Sequence, residues 1–296
     1  MSSGSYRYVV VDVFTEKPLE GNALAVFPDA RAIDESLLGK IARELNLSET
    51  VFVYPPSRSD CAARLRIFTP GRELAFAGHP TVGTAWVLRE EGRVAKSEEN
   101  FALEEPVGPV PVRVDGGTHP LIWLRTPPIE FRQKFDRKEC AAALGLELSD
   151  LAEPEPQLVT AGNPTVLVPL RNKEAVDQAS LEMAGLRSLK GAEGQALCIF
   201  VFAPTELGAY SRMFAPEHGI VEDPATGSST GPLTAYMLRY GLLSGPLRQR
   251  FVSEQGTKMG RRSFLHVLAH GPDGGDGIDV GGSVTPIAEA AMRLPF

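Results

Sequence analysis

The chain has 296 residues, of which 43% are hydrophobic and 23% are charged, and its net charge is −7 at pH 7. This length exceeds what one hydrophobic core usually serves, so two domains are expected. The acidic balance argues against nucleic acid or an anionic membrane surface as a partner. No apolar stretch approaches the roughly 18 residues that span a bilayer. The first residues lack the basic and then apolar pattern of a secretory signal peptide. We expect a cytoplasmic protein.

Neither the cysteines nor the histidines form a pattern that indicates a disulfide framework or a metal site. The three cysteines are scattered and odd in number, which favours free thiols in a reducing compartment; they are Cys61, Cys140 and Cys198. His266 and His270 are four residues apart, but the segment alternates like a strand, which would not bring the two rings together. We expect no metal ion.

The first half of the chain predicts short strands around one buried helix. Residues 37–45 are apolar at helical spacing and end at Asn46, and Glu49 lies where this helix gives way to a strand. Residues 81–88 are almost wholly apolar, a pattern that requires a buried helix. Strands are predicted for residues 6–13, 23–27, 51–54, 64–68, 101–114 and 121–124.

The second half follows the same plan. A second apolar helix is predicted from Gly227 to Gly241, with closing strands at residues 251–253 and 263–268. Residues 126–131, Thr-Pro-Pro-Ile-Glu-Phe, are the best candidate for a linker between the halves. Residues 271–282 read as a glycine and aspartate loop, and residues 287–294 as a short terminal helix.

Two stretches of the chain look like copies of each other. Phe68-Thr-Pro70 leads to Gly78-His79-Pro80, and Phe214-Ala-Pro216 leads to Glu222-Asp223-Pro224. Upstream, Gly21-Asn22 is echoed by Gly162-Asn163, and the matched positions are separated by 141 to 146 residues throughout. This regular spacing indicates a duplicated domain, and it matches His79 with Asp223.

Two similar halves that face each other would form one cleft, to which each half contributes the same loop with different chemistry. We predict a first domain of residues 1–126, joined by 285–296, and a second domain of residues 127–284. Both loops would lie at helix amino termini, where unpaired N–H groups and the helix dipole suit a carboxylate-bearing ligand.

The motifs resemble those of the PhzF family of phenazine-biosynthesis proteins, which belongs to the diaminopimelate-epimerase-like superfamily. The similarity covers nearly the whole chain and rests on Asp12-Val-Phe14, Glu49, Gly78-His79-Pro80, the run from Glu222 to Ser228, and Gln255-Gly256. The resemblance implies an α+β fold of two similar domains, each a β-barrel-like sheet wrapped around a central helix, with the active site in the interdomain cleft. It also implies a homodimer that uses no cofactor.

The resemblance further implies which residues act. In the founding enzymes a glutamate moves a proton within trans-2,3-dihydro-3-hydroxyanthranilate, and the matching residue is Glu49. Such a reaction needs one group that can take a proton from carbon and return it. His79 and Asp223 would share the catalytic work by orienting the polar groups of the substrate. The residues expected to bind the small carboxylate substrate are Gly78, Gly227, Ser228 and Gln255.

Other functions stay open at this point. Neither repeat loop contains a cysteine, which disfavours racemisation by paired thiols, but a related isomerase or epimerase on another hydroxy or amino acid is possible, as is a non-catalytic small-molecule-binding protein. The run Gly227-Ser-Ser-Thr-Gly231 matches a hydrolase nucleophile elbow at Ser229, with Glu254 and His266 following in the required order. We disfavour the hydrolase because residues 223–225 read as a loop, whereas an elbow needs a preceding strand.

Overall fold

The computed structural model describes residues 4–117, 120–181, 183–189 and 197–294. The chain divides into two compact units, of which unit 1 comprises Met1–Arg125 with Gly281–Phe296, and unit 2 comprises Thr126–Val280. In the described ranges, no helix combines the length and the apolar character needed to cross a membrane. Each unit is built from a mixed sheet and one central helix.

Unit 1 contains a mixed sheet. Its strands are β1 (Gly4–Val13), β2 (Asn22–Phe27), β3 (Glu49–Tyr54), β4 (Ala63–Phe68), β5 (Glu73–Leu74), β6 (Asn100–Glu105), β7 (Gly108–Val114), β8 (Ile122–Arg125) and the last strand of the chain, β18 (Val284–Leu294). β1 lies between β18 and β2 and is antiparallel to both. From β2 the sheet continues through β3, β4, β6 and β7 to β8. The β2–β3 and β4–β6 pairs are parallel, and the others are antiparallel.

The central helix of unit 1 is α2, Gly78–Glu90, which confirms the predicted buried helix. It packs against β1, β2, β3 and β8 of its own unit. Gly83 permits the closest of these approaches, because a Cβ at this position would lie 2.6 Å from a methyl group of Leu24 and 2.9 Å from one of Val13. The sheet therefore wraps tightly around the helix whose amino terminus carries His79.

The first helix, α1, spans Leu38–Leu45 and ends where the sequence predicts, at Asn46. Asn46 adopts a left-handed conformation with φ of 51°, which asparagine tolerates better than most residues and which stops the helix. Leu38, Ile41 and Ala42 pack into a cluster with aromatic residues of β2, β3 and β4. This packing fixes the entry of the chain into β3, whose first residue is Glu49.

Unit 2 repeats this arrangement. Its strands are β9 (Glu130–Lys134), β10 (Gln157–Thr160), β11 (Pro164–Pro169), β12 (Cys198–Thr205), β13 (Gly208–Ala215), β14 (Ile220–Asp223), β15 (Arg250–Gln255), β16 (Ser263–His270) and β17 (Gly277–Gly282), whose last two residues belong to unit 1. The helices of unit 2 are α3 (Arg137–Ala143), α4 (Lys173–Gln178), α5 (Met183–Ser188) and α6 (Gly227–Arg239).

The order of strands supports the duplication. β10 is antiparallel to β9 and β11, as β1 is to β18 and β2. β11–β12 and β13–β15 are parallel pairs, matching β2–β3 and β4–β6. The central helix α6 packs against β10, β11 and β16. The two units are therefore similar folds in which a mixed sheet surrounds one buried helix.

Four local predictions need correction. Residues 271–282 form a loop only as far as Asp276, because the β-branched Ile278 and Val280 are buried in strand β17. Residues 287–294 are not a helix but part of β18, because pairing with β1 along its whole length outweighs the weak helical preference of an alanine-rich segment. The predicted linker at residues 126–131 overlaps β9, which starts at Glu130 and pairs with β10. Asp223 is not in a loop, since it ends β14 and pairs with Met213 of β13.

Candidate functional site

Unit 1 brings Glu49 and His79 into contact. Glu49 is the first residue of β3 and His79 the second residue of α2, and each is less than a tenth exposed. Nε2 of His79 lies 3.1 Å from Oε2 of Glu49. Parallel pairing of β3 with β2, in which Glu49 faces Leu24, holds the carboxylate at this end of the sheet. The sequence predicts both residues, and the fold places them side by side.

Burial keeps the His79 ring neutral. It lowers the pKa of His79 from 6.5 to about 3, because the charged imidazolium would lose its hydration. The side-chain nitrogen of Asn22 lies 3.4 Å from Nδ1 of His79 and can donate to it. With Nδ1 as the acceptor, the ring proton resides on Nε2, the nitrogen nearest to Glu49. Nε2 and Oε2 of Glu49 are in contact without the alignment of a hydrogen bond, so His79 lies beside the carboxylate as a neutral ring.

We expect NMR to show one neutral His79 tautomer, protonated on Nε2, at every pH from 8 down to about 4. Long-range proton–nitrogen spectra check this, with assignment from the missing signal of His79→Gln. Because the unfolded ring binds a proton near pH 6.5, the stability that depends on neutral His79 is present above that pH and lost as the pH falls towards 3. A His79 signal that titrates between pH 6 and 7 would contradict the assignment.

Unit 2 holds Asp223 at the end of β14. The Thr226 hydroxyl donates to Oδ2 of Asp223 over 2.5 Å, and the amide nitrogen of Gln255 donates to the Asp223 carbonyl over 2.8 Å. Oε1 of Gln255 accepts from the Thr226 N–H over 3.1 Å. Gln255 is fully buried, and both its amide oxygen and its amide nitrogen bond to residues between β14 and α6. The structure therefore places Gln255 where it supports Asp223.

A buried ion pair secures the strand that ends at Asp223. Arg212 of β13 binds Glu222 through two parallel bonds of 2.9 and 2.8 Å. Its remaining nitrogen donates to the carbonyls of residues 176, 177 and 179 at the end of α4. Because the guanidinium is satisfied on every side, it fixes Glu222 and with it the backbone that precedes Asp223.

The structure corrects the register of the duplication at the helix termini. Gly78 and Gly227 each begin a central helix of 13 residues. Asn22 contacts His79, the second residue of α2, and Asn163 donates to Ser228, the second residue of α6, over 3.2 Å. His79 therefore corresponds to Ser228 and not to Asp223. The sequence alignment matched Pro80 with Pro224, but Pro80 lies inside α2 whereas Pro224 precedes α6.

Only one unit carries a carboxylate at the position of Glu49. In the parallel strand pair of unit 2, Cys198 begins β12 and faces Thr165, as Glu49 begins β3 and faces Leu24. The unit 2 counterpart of Glu49 is therefore a thiol. The two halves share a framework but offer different titratable groups at the matching position, which suits a reaction with a single carboxylate base.

The amino termini of both central helices have small residues and no capping side chain of their own. The residues that precede the helices, Ala77 and Thr226, make no side-chain cap, and glycine follows in each case. Gly227 and Ser228 are partly exposed, whereas Gly78 is buried. Backbone N–H groups in such a first turn attract carboxylates. The predicted binding residues Gly78, Gly227 and Ser228 are therefore all at helix amino termini.

Two residues of these surroundings were missed by the functional predictions. Asn22 contacts His79, and the repeated Gly-Asn motif was the signal that could have identified it. Glu105 ends β6, is buried, and contacts Thr81 in the first turn of α2. No sequence pattern points to Glu105, because only strand pairing brings it to the helix.

The structure gives no support to a serine nucleophile. Ser229 is fully buried inside α6, and its hydroxyl lies 2.9 Å from that of Thr165. Glu254 is engaged by Arg262 and Thr257. A strand does precede the motif, contrary to the sequence interpretation, so the hydrolase is disfavoured by the burial of Ser229 and not by the missing strand.

The described ranges contain no group of three or more histidine, cysteine, aspartate and glutamate residues arranged to hold a metal ion. His266 and His270 lie on β16, and His270 is 2.8 Å from Asp279. His119 lies outside the described residues. The three cysteines are free thiols and buried.

Comparison with known proteins agrees with these observations. The family model of phenazine biosynthesis-like proteins, PhzC-PhzF, matches residues 11–290. Trans-2,3-dihydro-3-hydroxyanthranilate isomerase from Pseudomonas aeruginosa is 35% identical over 98% of this chain and 100% of its own length. The enzyme of the same name from Pseudomonas chlororaphis is also 35% identical, over 90% of this chain and 91% of its own.

Solved structures show the same fold. A PhzF-family phenazine biosynthesis protein from Bacillus anthracis has a TM-score of 0.87 and 26% identity, and the match covers 99% of this chain and 100% of the other. A hydroxyproline epimerase from Agrobacterium vitis shares the fold at a TM-score of 0.65, with 14% identity over 99% and 93% of the two chains. These matches along nearly the whole length establish that this chain belongs to the PhzF family of phenazine biosynthesis-like proteins and is an isomerase.

Proposed function

We propose that this isomerase moves a proton within a small carboxylate substrate of the trans-2,3-dihydro-3-hydroxyanthranilate type, with Glu49 as the acid/base and without a cofactor. The observation that carries the proposal is the buried contact between the Glu49 carboxylate and the neutral ring of His79. A carbon-bound proton needs a positioned base, and a carboxylate that is buried against a neutral ring and shielded from water suits this task. The relatives that bear the name of this isomerase support the substrate class.

In the proposed reaction, Glu49 alone takes the proton from the substrate and returns it. A C–H bond of the substrate breaks, and its proton forms an O–H bond with Glu49, while the electron pair shifts into the conjugated system of the substrate. Glu49 then returns the proton to a different carbon and is regenerated as the carboxylate. The substrate gains and loses no electrons overall, so the reaction needs neither an oxidant nor a reductant.

His79 would serve this cycle as a neutral neighbour of Glu49. Its Nε2 contacts the carboxylate at 3.1 Å, could donate to it after a small rotation of either side chain, and does not compete for the proton, since a ring with a pKa of about 3 is a very weak base. Asp223 would orient a polar group of the substrate, and the N–H groups at Gly78, Gly227 and Ser228 would bind its carboxylate. Gln255 would act through Asp223 and Thr226, to which it is bonded. The homodimer and the cytoplasmic location stay predictions.

Proton NMR of trans-2,3-dihydro-3-hydroxyanthranilate in deuterated buffer tests the proposal. We expect catalytic conversion, deuterium at the carbon that receives the proton, and an unchanged rate after dialysis against a chelator. Glu44→Gln, which removes a carboxylate from the exposed side of α1, is the matched control and should behave as the wild type. Absence of conversion by folded wild-type protein would reject this substrate class, and loss of activity on dialysis would reject cofactor independence.

A further inference from the structure

A second buried carboxyl group lies beneath the helix terminus that carries His79. Glu105 is the last residue of β6 and is 3% exposed. Its Oε1 contacts the hydroxyl of Thr81, and its carboxyl group also accepts from the backbone N–H of Ala77. Ala77 and Thr81 flank His79 at the start of α2. Glu105 thus connects the end of a sheet strand with the first turn of the central helix.

The hydrogen-bond pattern specifies the protonation state of Glu105. The Thr81 hydroxyl lies 2.7 Å from the carbonyl oxygen of Ala77, which can only accept, and also contacts Oε1 of Glu105. A hydroxyl has one proton, and the carbonyl uses it. An ionised Glu105 would have to share the single Thr81 proton with the Ala77 carbonyl, which weakens both bonds. Both contacts are full hydrogen bonds when Glu105 is a carboxylic acid that donates to Thr81, which donates to Ala77.

Burial and surroundings favour the same form. Oε2 of Glu105 is buried without a hydrogen-bond partner among the described residues, which would be costly for an ionised carboxylate. Burial raises the pKa of Glu105 to about 8, and the bond from the backbone N–H of Ala77 opposes this only in part. No charged group of the described residues acts on Glu105. The adjacent Glu104 binds Ser57.

Unit 2 contains a neutral side chain at the corresponding position. β6 and β15 each pair in parallel with the strand that carries the Phe-x-Pro motif. When the two strand pairs are aligned so that Phe68 matches Phe214, Glu105 and Gln255 occupy the same position. Gln255 accepts from the N–H of the residue before the helix and donates to the hydroxyl of that residue, Thr226. A glutamine amide imitates a protonated carboxyl group, so both units support the helix terminus with a neutral donor and acceptor.

The geometry points to Glu105 as a positioning residue: in its neutral carboxylic acid form it links Ala77 and Thr81, fixes the first turn of α2 and so holds His79 against Glu49. This inference rests on the proposed function, in which the His79–Glu49 pair handles the proton. Ionisation of Glu105 removes the proton that joins it to Thr81 and places a charge in an apolar environment. The first turn of α2 then loosens and the contact between His79 and Glu49 is lost.

Kinetics against pH test the inference. Glu105→Gln, which copies unit 2, is expected to match wild-type kcat up to pH 8, and above this the wild type should fall about tenfold per pH unit relative to the variant. Glu105→Ala should lose kcat by about tenfold or more with little change in KM, because a misplaced base affects the chemical step. Glu104→Gln, a neighbouring change on the same strand, should follow the wild type throughout. A ratio of wild type to Glu105→Gln that is constant from pH 6 to 9.5 would overturn the inference.

A second measurement needs neither turnover nor a variant that folds well. Carbon NMR of wild-type protein labelled at the glutamate carboxyl carbons should show one signal that titrates near pH 8, assigned by its absence from Glu105→Gln or by its contact with Thr81. A Glu105 signal that titrates near pH 4.5 would overturn the inference even if the protein is fully active. If the substrate is not converted at all, the proposed function fails, whereas the carboxyl titration still decides the state of Glu105.

Discussion

Glu49→Gln is expected to lower kcat by about 10³-fold or more and to leave the fold unchanged. Glutamine has the shape of glutamate, so its amide oxygen can keep the contact with Nε2 of His79, which is 3.1 Å away in the wild type. It cannot take a proton from carbon at neutral pH. General base catalysis contributes about 10²- to 10⁴-fold in enzymes, so its loss leaves only substrate binding and orientation.

Solvent deuterium provides the measurement. Wild-type protein should introduce deuterium into the product at a rate that matches conversion, and Glu49→Gln should introduce it about 10³-fold more slowly. Glu49→Asp, whose carboxylate is one methylene shorter, should retain part of the activity. If Glu49→Gln stays within tenfold of the wild type while Glu44→Gln also remains active, another group carries the proton and the proposed role of Glu49 is wrong.

Asp223→Asn is expected to lower kcat/KM by about 10²-fold. Hydrogen bonds to charged groups contribute about 1.5–3 kcal/mol, which corresponds to roughly 10- to 150-fold in rate. Asparagine keeps the size of the side chain and an oxygen that can accept from Thr226, which now donates to Oδ2 over 2.5 Å. The variant therefore removes the charge that we propose faces the substrate, without releasing the end of β14.

The matched control for this variant is Asp273→Asn. Asp273 is exposed and adopts a left-handed conformation with φ of 53°, which asparagine accepts readily. Its ion pair with Arg248 is solvent-exposed and contributes about 0–1 kcal/mol, so the change should cost little stability and no activity. Steady-state kinetics and melting temperatures of both variants complete the comparison. An Asp223→Asn variant with wild-type kcat/KM, or one whose loss equals that of Asp273→Asn, would show that Asp223 does not orient the substrate.

Much of the fold was readable from local patterns. The largely apolar sequences of α2 and α6 require buried helices, and the Gly-Asn and Phe-x-Pro motifs indicate the duplication. The end of α1 at Asn46 followed from side-chain preference alone. Each of these features depends on residues that are close together in the sequence. The resemblance of the motifs then identified Glu49, His79 and Asp223 as candidate site residues.

Local patterns failed where pairing between distant segments decides the outcome. The alanine-rich end of the chain reads as a helix, but its partner β1 is more than 270 residues away and imposes a strand. The match of His79 with Asp223 followed equal sequence offsets, whereas the fold aligns helix termini and matches His79 with Ser228. An insertion of a few residues between motif and helix changes the register without leaving a signal.

The sequence by itself therefore determined the buried helices, the duplication and the residue types available for proton transfer. Only the tertiary structure decided that His79 is neutral, that it contacts Glu49, and that Glu105 lies beneath the same helix terminus. The physical reason is that protonation depends on burial and on partners from strands far apart in the chain, neither of which a linear pattern records.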